Sequence, residues 1–165
     1  MSMRRLWETN PWLARNSCCL SILRPTAELV ADLNAFRPSI VATYPTAAMM
    51  LAEQARAGRL RINPLEVWTG GEHLSAPMRR MIGQGLGAEV CNSYGASEFL
   101  PLAWECGHQR LHVNTDWVVL EAVDASHRPV APGTVSYTTL LTNLANHVQP
   151  VIRFDIGDRV MYDAT

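Results

Sequence analysis

Residues 65–91 read LEVWTGGEHLSAPMRRMIGQGLGAEVC, and the architecture follows from this stretch. The apolar run Leu65–Trp68 is strand-like, and after two glycines Ser75 and the following proline are typical of a helix start. Methionine and isoleucine recur at helical spacing until the glycines of residues 83–87, after which Ala88–Cys91 is strand-like again. This order predicts two parallel strands joined by a right-handed helical crossover.

The same alternation extends upstream. Apolar residues at helical spacing predict a helix from Pro25 that ends before Pro38, because the residue before a proline disfavours helical geometry. The β-branched run Ser39–Thr43 predicts a strand, and Pro45 opens a second helix that ends at Gly58. Short strands alternating with helices predict an α/β fold with a parallel β-α-β sheet segment that is buried on both faces.

Downstream of residue 108 the helical pattern disappears. His112–Val123, Thr134–Thr142 and Val151–Tyr162 are strand-like, and turn signals lie at Pro132 and at Gly157. We therefore expect an antiparallel, β-rich and barrel-like segment after the parallel one. The predicted organisation is an N-terminal extension over residues 1–22, an α/β subdomain over 23–107 and a β-rich subdomain over 108–165.

Composition narrows the function classes. The 165 residues carry a formal net charge of -1, and 48% of them are hydrophobic, which is ordinary for a globular domain. We expect no nucleic-acid partner and no membrane partner, since the sequence has no block of basic residues and no apolar run of membrane-spanning length. The four cysteines show no disulfide framework, and the N-terminus lacks the apolar region of a signal peptide. These features predict a cytoplasmic location.

Three loops carry the polar and glycine residues: Trp68–His73, Asn92–Glu98 and Arg153–Asp158. Loops that follow the carboxyl ends of parallel strands are where α/β proteins bind ligands. Each loop also has a structural interpretation on its own: the paired glycines make a tight turn, the tyrosine is a surface aromatic, and the Gly-Asp pair is a hairpin turn.

Together and in this order, the loops resemble motifs of the adenylate-forming superfamily, which includes acyl-CoA synthetases, luciferases and peptide-synthetase adenylation domains. YGASE (94–98) resembles the superfamily's YGxTE motif, TGGEHL (69–74) resembles its adenine-wall loop, and RFDIGDRV (153–160) resembles its YRTGD motif. The likeness is greatest to the branch of phenylacetate-CoA ligases and coenzyme F390 synthetases. It covers residues 20–163 and includes ECGHQRLH (105–112).

The residue types of these loops suit a nucleotide. Tyr94 offers a flat face for adenine, and Gly95 lets the backbone approach the nucleotide closely. Asp158 can accept hydrogen bonds from both ribose hydroxyls, and by resemblance it is favoured over Asp155 because the family's aspartate follows the glycine. The resemblance assigns three further residues to the other side of the adenine, namely Gly71, Glu72 and His73.

The remaining site residues concern the phosphates and the acyl group. The Ser97 hydroxyl can donate to the α-phosphate or the acyl oxygen, and the Glu98 carboxylate can hold the Mg²⁺ that accompanies ATP. By resemblance, the acyl pocket would involve Tyr44, Pro45 and Ala96, with aromatic acids as the expected substrates. The implied parent reaction joins a small carboxylic acid to ATP, giving an acyl-adenylate, and then transfers the acyl group to CoA.

Two departures from the family pattern concern activity. No SSGTTG-type phosphate loop is found in the sequence, and all fourteen basic residues are arginines, so the family's catalytic lysine has no counterpart. We therefore expect a central part of an adenylate-forming domain that has no ligase activity alone. The alternative is a non-catalytic truncated homologue that binds a nucleotide, a small acid or a protein. In either case we expect association into an oligomer through exposed strand edges.

A second chemical feature lies in residues 105–112. Cys106, His108 and His112 supply one thiol and two imidazoles within seven residues, which are ligand types that Zn²⁺ accepts. A fourth ligand is not evident, so the alternative is a small buried cysteine beside polar loop histidines.

Overall fold

The computed structural model describes residues 10–163. The described helices are α1 (Pro11–Asn16), α2 (Thr26–Phe36), α3 (Pro45–Arg56) and α4 (Ala76–Leu86). The strands are β1 (Ile40–Thr43), β2 (Glu66–Thr69), β3 (Glu89–Ala96), β4 (Phe99–Glu105), β5 (Leu111–Val113), β6 (Val118–Val123), β7 (Thr138–Asn143) and β8 (Val151–Asp155). They form a five-stranded sheet in the order β1-β2-β3-β4-β5 and a three-stranded sheet in the order β6-β7-β8.

The predicted fold class is confirmed: the protein is α/β, with a mixed sheet and a separate antiparallel sheet. The Leu65 N–H donates to the Ser39 carbonyl over 2.8 Å, and the Glu89 N–H donates to the Leu65 carbonyl over 3.0 Å. Ser39 and Leu65 immediately precede β1 and β2, and Glu89 is the first residue of β3, so the three strands start side by side and run parallel. The β3–β4, β4–β5, β6–β7 and β7–β8 pairs are antiparallel.

The chain divides into two compact units. The first comprises the chain through Val67 together with Ser75–Val90, and the second comprises Trp68–Leu74 together with the chain from Cys91 onward. Each unit has its own buried apolar residues, which include Leu51 and Ile82 in the first and Leu102 and Leu141 in the second. Among the described residues, no helix combines the length and the apolar character that crossing a membrane requires.

The ends of α4 in the first unit follow from its terminal residues. The Ser75 Oγ accepts a hydrogen bond from the Met78 N–H at 3.4 Å, so this serine caps the helix as its sequence position predicts. Gly87 ends the helix with a φ of 65°, a left-handed conformation in which glycine has no steric penalty. Helix α4 approaches α3 closely, because a Cβ on Gly85 would lie 2.6 Å from the Ala52 Cβ.

The second unit contains a strand that the sequence did not indicate. The segment Asn92–Glu98 was predicted as a loop, but its first five residues continue β3. The stretch Phe99–Glu105, to which the sequence assigned no element, forms β4 and pairs with β3, so YGASE spans the end of β3 and the turn of a β-hairpin. The β4 residues Leu102 and Ala103 are almost completely buried, which accounts for a strand that has a proline at residue 101. The pairing is irregular between Tyr94 and Ala96, as expected of a β-bulge.

All three strands predicted in this region are shorter than expected, and the run 134–142 becomes a strand only at Thr138, where β7 begins. The run 112–123 is interrupted after β5, where the Asn114 N–H donates to the Leu102 carbonyl at 2.9 Å and a turn follows before β6. The run 151–162 ends as a strand at Asp155, whose Oδ1 accepts the Gly157 N–H at 2.9 Å. Asp155 ends its strand because its side chain binds the backbone two residues further on. The Asn114 side chain instead donates to the Pro101 carbonyl at 2.6 Å, which holds this residue against β4.

Candidate functional site

A cavity of about 600 Å³ lies within the second unit. Its volume falls in the range of small-molecule sites, which is roughly 300–1,000 Å³. Apolar side chains of the two sheets line it, and so do three polar segments, the loop after β2, the second half of β3 and the segment after β8. The lining residues comprise Gly71–Leu74, Asn92–Gly95, Ala103, Leu111, Val113, Leu120 and Asp158–Tyr162.

Tyr94 and Asp158 meet at this cavity. The Tyr94 hydroxyl donates a hydrogen bond of 2.7 Å to Asp158 Oδ2. The Tyr94 side chain also packs against the buried cluster of Leu102, Val118 and Leu141, so its position is set by the core. Burial and then the hydrogen bond to the Asp158 carboxylate raise the pKa of Tyr94, because both favour the neutral phenol. Tyr94 is therefore a protonated hydrogen-bond donor at neutral pH.

The backbone that carries Asp158 is held by the buried hydroxyls of two residues, Ser136 and Thr139. The Thr139 Oγ1 donates to the Asp158 carbonyl at 2.8 Å, and the Ser136 Oγ accepts the Val160 N–H at 2.9 Å. Both residues are fully buried, at 0% exposure. The Arg159 Nε donates to the Ser136 carbonyl at 2.9 Å, which adds a third tie to the same segment.

The two aspartates of the last motif have different surroundings. Asp155 accepts hydrogen bonds from the Thr138 hydroxyl and the Gly157 N–H, and these contacts lower the pKa of Asp155, the Thr138 bond most. Its carboxylate thus braces the turn that follows β8, and it is not among the residues that line the cavity. The Asp158 carboxylate lines the cavity and is exposed. Of the two aspartates, the ribose candidate Asp158 therefore lies at the cavity and Asp155 does not.

The glycine-rich loop Thr69–Leu74 contributes Gly71, Glu72 and His73 to the cavity, and all three are exposed. Gly71 adopts a φ of 76°, which favours glycine. At Gly70 a Cβ would lie 2.6 Å from the Ser93 Oγ, and that hydroxyl donates to the Thr69 carbonyl at 3.1 Å. The loop is therefore tied to β3 at the position next to Tyr94.

Gly95 has a structural reason to be glycine that the sequence did not indicate. It lines the cavity, as a residue that approaches a nucleotide should, but a Cβ here would lie 2.0 Å from the Leu100 carbonyl oxygen. No Cβ contact of that length occurs in proteins, so the hairpin itself excludes any side chain at residue 95. The structural interpretation and the nucleotide interpretation of Gly95 are therefore compatible.

The other residues of YGASE lie along the same hairpin and outside the cavity lining. Ala96 packs against the Leu102, Val118 and Leu141 cluster. Ser97 and Glu98 form the turn between β3 and β4, where Ser97 is exposed and Glu98 is half-buried. The Glu98 carbonyl accepts a hydrogen bond from Asn143 Nδ2 at 3.2 Å, which fixes the turn against β7.

The two remaining acyl-pocket candidates belong to the first unit. Tyr44 is the residue before α3 and is 44% exposed, whereas Pro45 occupies the first turn of that helix and is buried. Neither residue lines the cavity of the second unit.

The cysteine–histidine segment places two of its three predicted ligands together. The backbone N–H groups of Arg110 and His108, and then the His112 side chain, lower the pKa of the Cys106 thiol. His108 thus contributes its backbone to this contact. Over residues 10–163, no three or more His, Cys, Asp or Glu side chains are grouped as they would be around a metal ion. The zinc and magnesium expectations therefore stay predictions.

Several residues of the cavity region were not identified from the sequence. Ser136 and Thr139 hold the Asp158 segment, and Tyr162 lines the cavity while its hydroxyl donates to the Leu120 carbonyl at 2.7 Å. The run TVSYTT (134–139) contained a signal, because hydroxyl residues in a strand that is buried must find partners.

Comparisons with known proteins agree with this architecture. No family model matches the chain. Phenylacetate-coenzyme A ligase of Thermus thermophilus is 29% identical in an alignment 143 residues long, which covers 81% of this chain and 32% of that protein. The chain therefore spans about a third of the length of this curated relative.

Solved structures of CoA ligases share the fold of this chain. 2-Hydroxyisobutyryl-CoA ligase in the postadenylation state, in complex with 2-HIB-AMP, superposes with a TM-score of 0.72 and 25% identity over 84% of this chain and 31% of that one. The same enzyme in an open conformation with 2-HIB-AMP and CoA gives a TM-score of 0.74 and 22% identity over 87% and 36% of the two chains. An anthranilate CoA ligase in complex with anthranoyl-AMP superposes with a TM-score of 0.67 and 14% identity, over 90% of this chain and 33% of that one. The resemblance is confirmed: the chain has the fold of the adenylate-forming CoA ligases and is related in sequence to phenylacetate-CoA ligase.

Proposed function

We propose that this chain carries the adenosine-binding part of an adenylate-forming acid–CoA ligase. The observation that carries the proposal is the cavity of the second unit, where Tyr94 and Asp158 lie in direct contact and where Gly71, Glu72 and His73 also lie. The ligand is the adenosine moiety of ATP, of AMP or of an acyl-adenylate. The relatives support this choice, since solved ones were crystallised with acyl-AMP ligands.

The geometry suits a nucleoside in two respects. The Tyr94 ring is held by the core at the cavity wall, so it is a rigid surface for a purine. The Asp158 carboxylate is exposed in the same cavity, and an ionised carboxylate accepts hydrogen bonds from neighbouring hydroxyls. Apolar residues such as Leu111 and Val113 complete the wall, which favours a planar base over a strongly hydrated ligand.

The proposed roles of Ser97 and Glu98 concern the phosphates. Their position at the turn of the hairpin that carries Tyr94 places them next to the proposed base site along the chain. A single carboxylate fits Mg²⁺ that is bound mainly by nucleotide phosphates, and the ion would neutralise phosphate charge there. The proposed contribution of Ser97 is one hydroxyl donor to the α-phosphate or acyl oxygen. Tyr44, Pro45 and Ala96 remain the candidates for the acyl group.

The parent reaction we propose is attack of a carboxylate on the α-phosphorus of ATP, which releases pyrophosphate and leaves an acyl-adenylate; CoA then takes the acyl group as a thioester and AMP leaves. An aryl or other small acid is the proposed substrate class. The sequence has neither the phosphate loop nor any lysine to compensate the charge of the triphosphate. We therefore expect the 165 residues to bind adenosine ligands without forming acyl-adenylate.

Titration calorimetry of AMP into the protein and its variants tests the proposal. We expect Asp158→Asn to weaken AMP binding about tenfold or more, because a charge-assisted pair of hydrogen bonds becomes neutral. Asp124→Asn is the matched control, since it removes the same charge from an exposed turn of the second unit where Asp124 pairs with Arg128. Equal affinity of Asp158→Asn and Asp124→Asn, or no AMP binding to the unchanged protein, would contradict the proposal.

Exposed apolar side chains favour a second candidate function, a non-catalytic interaction module. Trp68 and Trp104 pack edge to face with their ring centroids 5.5 Å apart, and they are 39% and 42% exposed. Leu100 and Ile152 are exposed to 78% and 71%. Such surfaces favour association, so we also propose a homo-oligomer. Light scattering over a hundredfold concentration range tests it, and a constant monomer mass would contradict association. The cytoplasmic location stays a prediction.

A further inference from the structure

We propose that Tyr94 is a positioning residue as well as a base-binding one, and that its hydroxyl orients the Asp158 carboxylate so that the cavity selects nucleotides with an intact ribose diol. This inference rests on the proposed function of the cavity. It adds a source of sugar specificity that lies in a contact between two protein residues.

A single side chain, Tyr94, positions both the surface for the base and the carboxylate for the sugar. The Tyr94 ring packs against Leu102, Val118 and Leu141, and its hydroxyl is 2.7 Å from Asp158 Oδ2. The ring that would face the base and the carboxylate that would face the sugar are therefore held at a set separation. In a nucleoside the base and the ribose hydroxyls also have a nearly fixed separation, because a single glycosidic bond joins them.

The hydrogen bond from Tyr94 leaves most acceptor positions of the Asp158 carboxylate free. An ionised carboxylate has about four acceptor positions on its two oxygens, and the Tyr94 hydroxyl occupies one of them. Enough positions remain for two ribose hydroxyls. Tyr94 is thus compatible with a bound diol and does not compete with it.

The Asp158 side chain depends on this contact for its orientation. Its main chain is fixed by the Thr139 hydroxyl, which donates to the Asp158 carbonyl at 2.8 Å, but its side chain is exposed. Among the described residues, the Tyr94 hydroxyl is the side-chain donor that holds the Asp158 carboxylate. Without it, the carboxylate would be free to rotate. The entropy lost when the carboxylate becomes ordered on binding would then weaken the affinity for the ligand.

The experiment measures the affinities of AMP, 2′-deoxy-AMP and 3′-deoxy-AMP for the unchanged protein and for Tyr94→Phe by titration calorimetry. Phenylalanine keeps the ring and removes only the hydroxyl. We expect the unchanged protein to prefer AMP over both deoxynucleotides. We expect Tyr94→Phe to bind AMP about threefold to tenfold more weakly and the deoxynucleotides with little change, so that the preference falls.

Tyr94→Leu separates the hydroxyl from the ring. It removes both, so we expect all three nucleotides to bind more weakly, with the preference for AMP reduced as in Tyr94→Phe. Tyr137→Phe is the control, since Tyr137 belongs to the second unit but is 66% exposed and does not line the cavity. It should keep the ribose preference, and thermal unfolding of each variant reports whether it is folded.

The outcomes distinguish this inference from the function on which it rests. If the unchanged protein binds none of the three nucleotides, both fail. If it prefers AMP and Tyr94→Phe keeps the same preference, the positioning role is wrong and the proposed function stands. If it binds AMP and the deoxynucleotides equally, Asp158 does not select the ribose and the positioning role is again wrong.

Discussion

Gly85 in the first unit and Gly95 in the second are each required by a close neighbour, but the neighbours differ in kind. A Cβ on Gly85 would lie 2.6 Å from the Ala52 side chain and 3.0 Å from its backbone, where α4 packs against α3. A Cβ on Gly95 would lie 2.0 Å from the backbone carbonyl oxygen of Leu100, within a single hairpin. Two helices can shift apart by a few tenths of an ångström to relieve such an overlap, whereas the Leu100 carbonyl belongs to the backbone of the same hairpin and has less room to move. The second unit therefore has less tolerance at the residue next to its proposed site.

The largest effect is expected from Gly95→Ala. The new methyl group would overlap the Leu100 carbonyl, and relief requires that the β3–β4 pairing opens. We expect the free energy of unfolding to fall by about 3 kcal/mol or more, as measured by urea denaturation. A variant as stable as the unchanged protein would show that the hairpin relaxes easily and that the two glycines do not differ.

A smaller effect is expected from Gly85→Ala. Overlap with Ala52 destabilises the packing of α3 and α4, while alanine favours the helix by roughly 1 kcal/mol relative to glycine. We expect a net loss of about 1–2 kcal/mol in urea denaturation. Adding Ala52→Gly should recover part of this loss, because it removes the nearest atom. No coupling between the two substitutions would contradict the contact between these helices.

The smallest effect is expected from Asp155→Asn, and it depends on pH. The folded protein lowers the pKa of Asp155, chiefly through the Thr138 hydroxyl, so the folded state favours the ionised form. This contribution is present above the ordinary aspartate pKa of about 3.9 and is lost as the pH falls through the lower folded pKa. The variant should be less stable than the unchanged protein at pH 7, with the difference shrinking toward pH 3.

Urea denaturation at both pH values measures the change. Asp124→Asn is no control here, since hydrogen bonds from the Arg128 and Ser126 N–H groups also lower the pKa of Asp124. Asp116→Asn serves instead, because Asp116 lies in the exposed turn before β6. A difference for Asp155→Asn that is the same at both pH values would show that its charge does not brace the turn.

The elements that sequence predicted well are those with local signals. Ser75 and Gly87 mark the two ends of α4, and both could be predicted because a capping hydroxyl and a left-handed glycine act over three or four residues. β4 was missed because Pro101 is unfavourable in a strand, and its stability comes from burial of Leu102 and Ala103 against residues distant in sequence. The last predicted strand was too long because β8 ends at Asp155, whose side chain accepts the Gly157 N–H, and β-propensity does not account for such a contact.

The candidate site shows the same limit. Sequence motifs identified Tyr94 and Asp158 separately. The hydrogen bond between them is a tertiary contact between residues 64 positions apart, which neither motif predicts. The residues that hold Asp158 in place, Ser136 and Thr139, belong to none of the three motifs. Serine and threonine in a strand do not reveal from sequence which backbone group they will bind.

The ties that shape the cavity also have a kinetic consequence. The Tyr94 hydroxyl and the Thr139 hydroxyl both bind Asp158, so the cavity is complete only when the last part of the described chain contacts β3 and β7. Contacts of such long range form slowly, since closing a long loop is costly before any contact rewards it. The cavity should therefore be among the last features of the second unit to appear during refolding, and nucleotide binding would report the completion of folding.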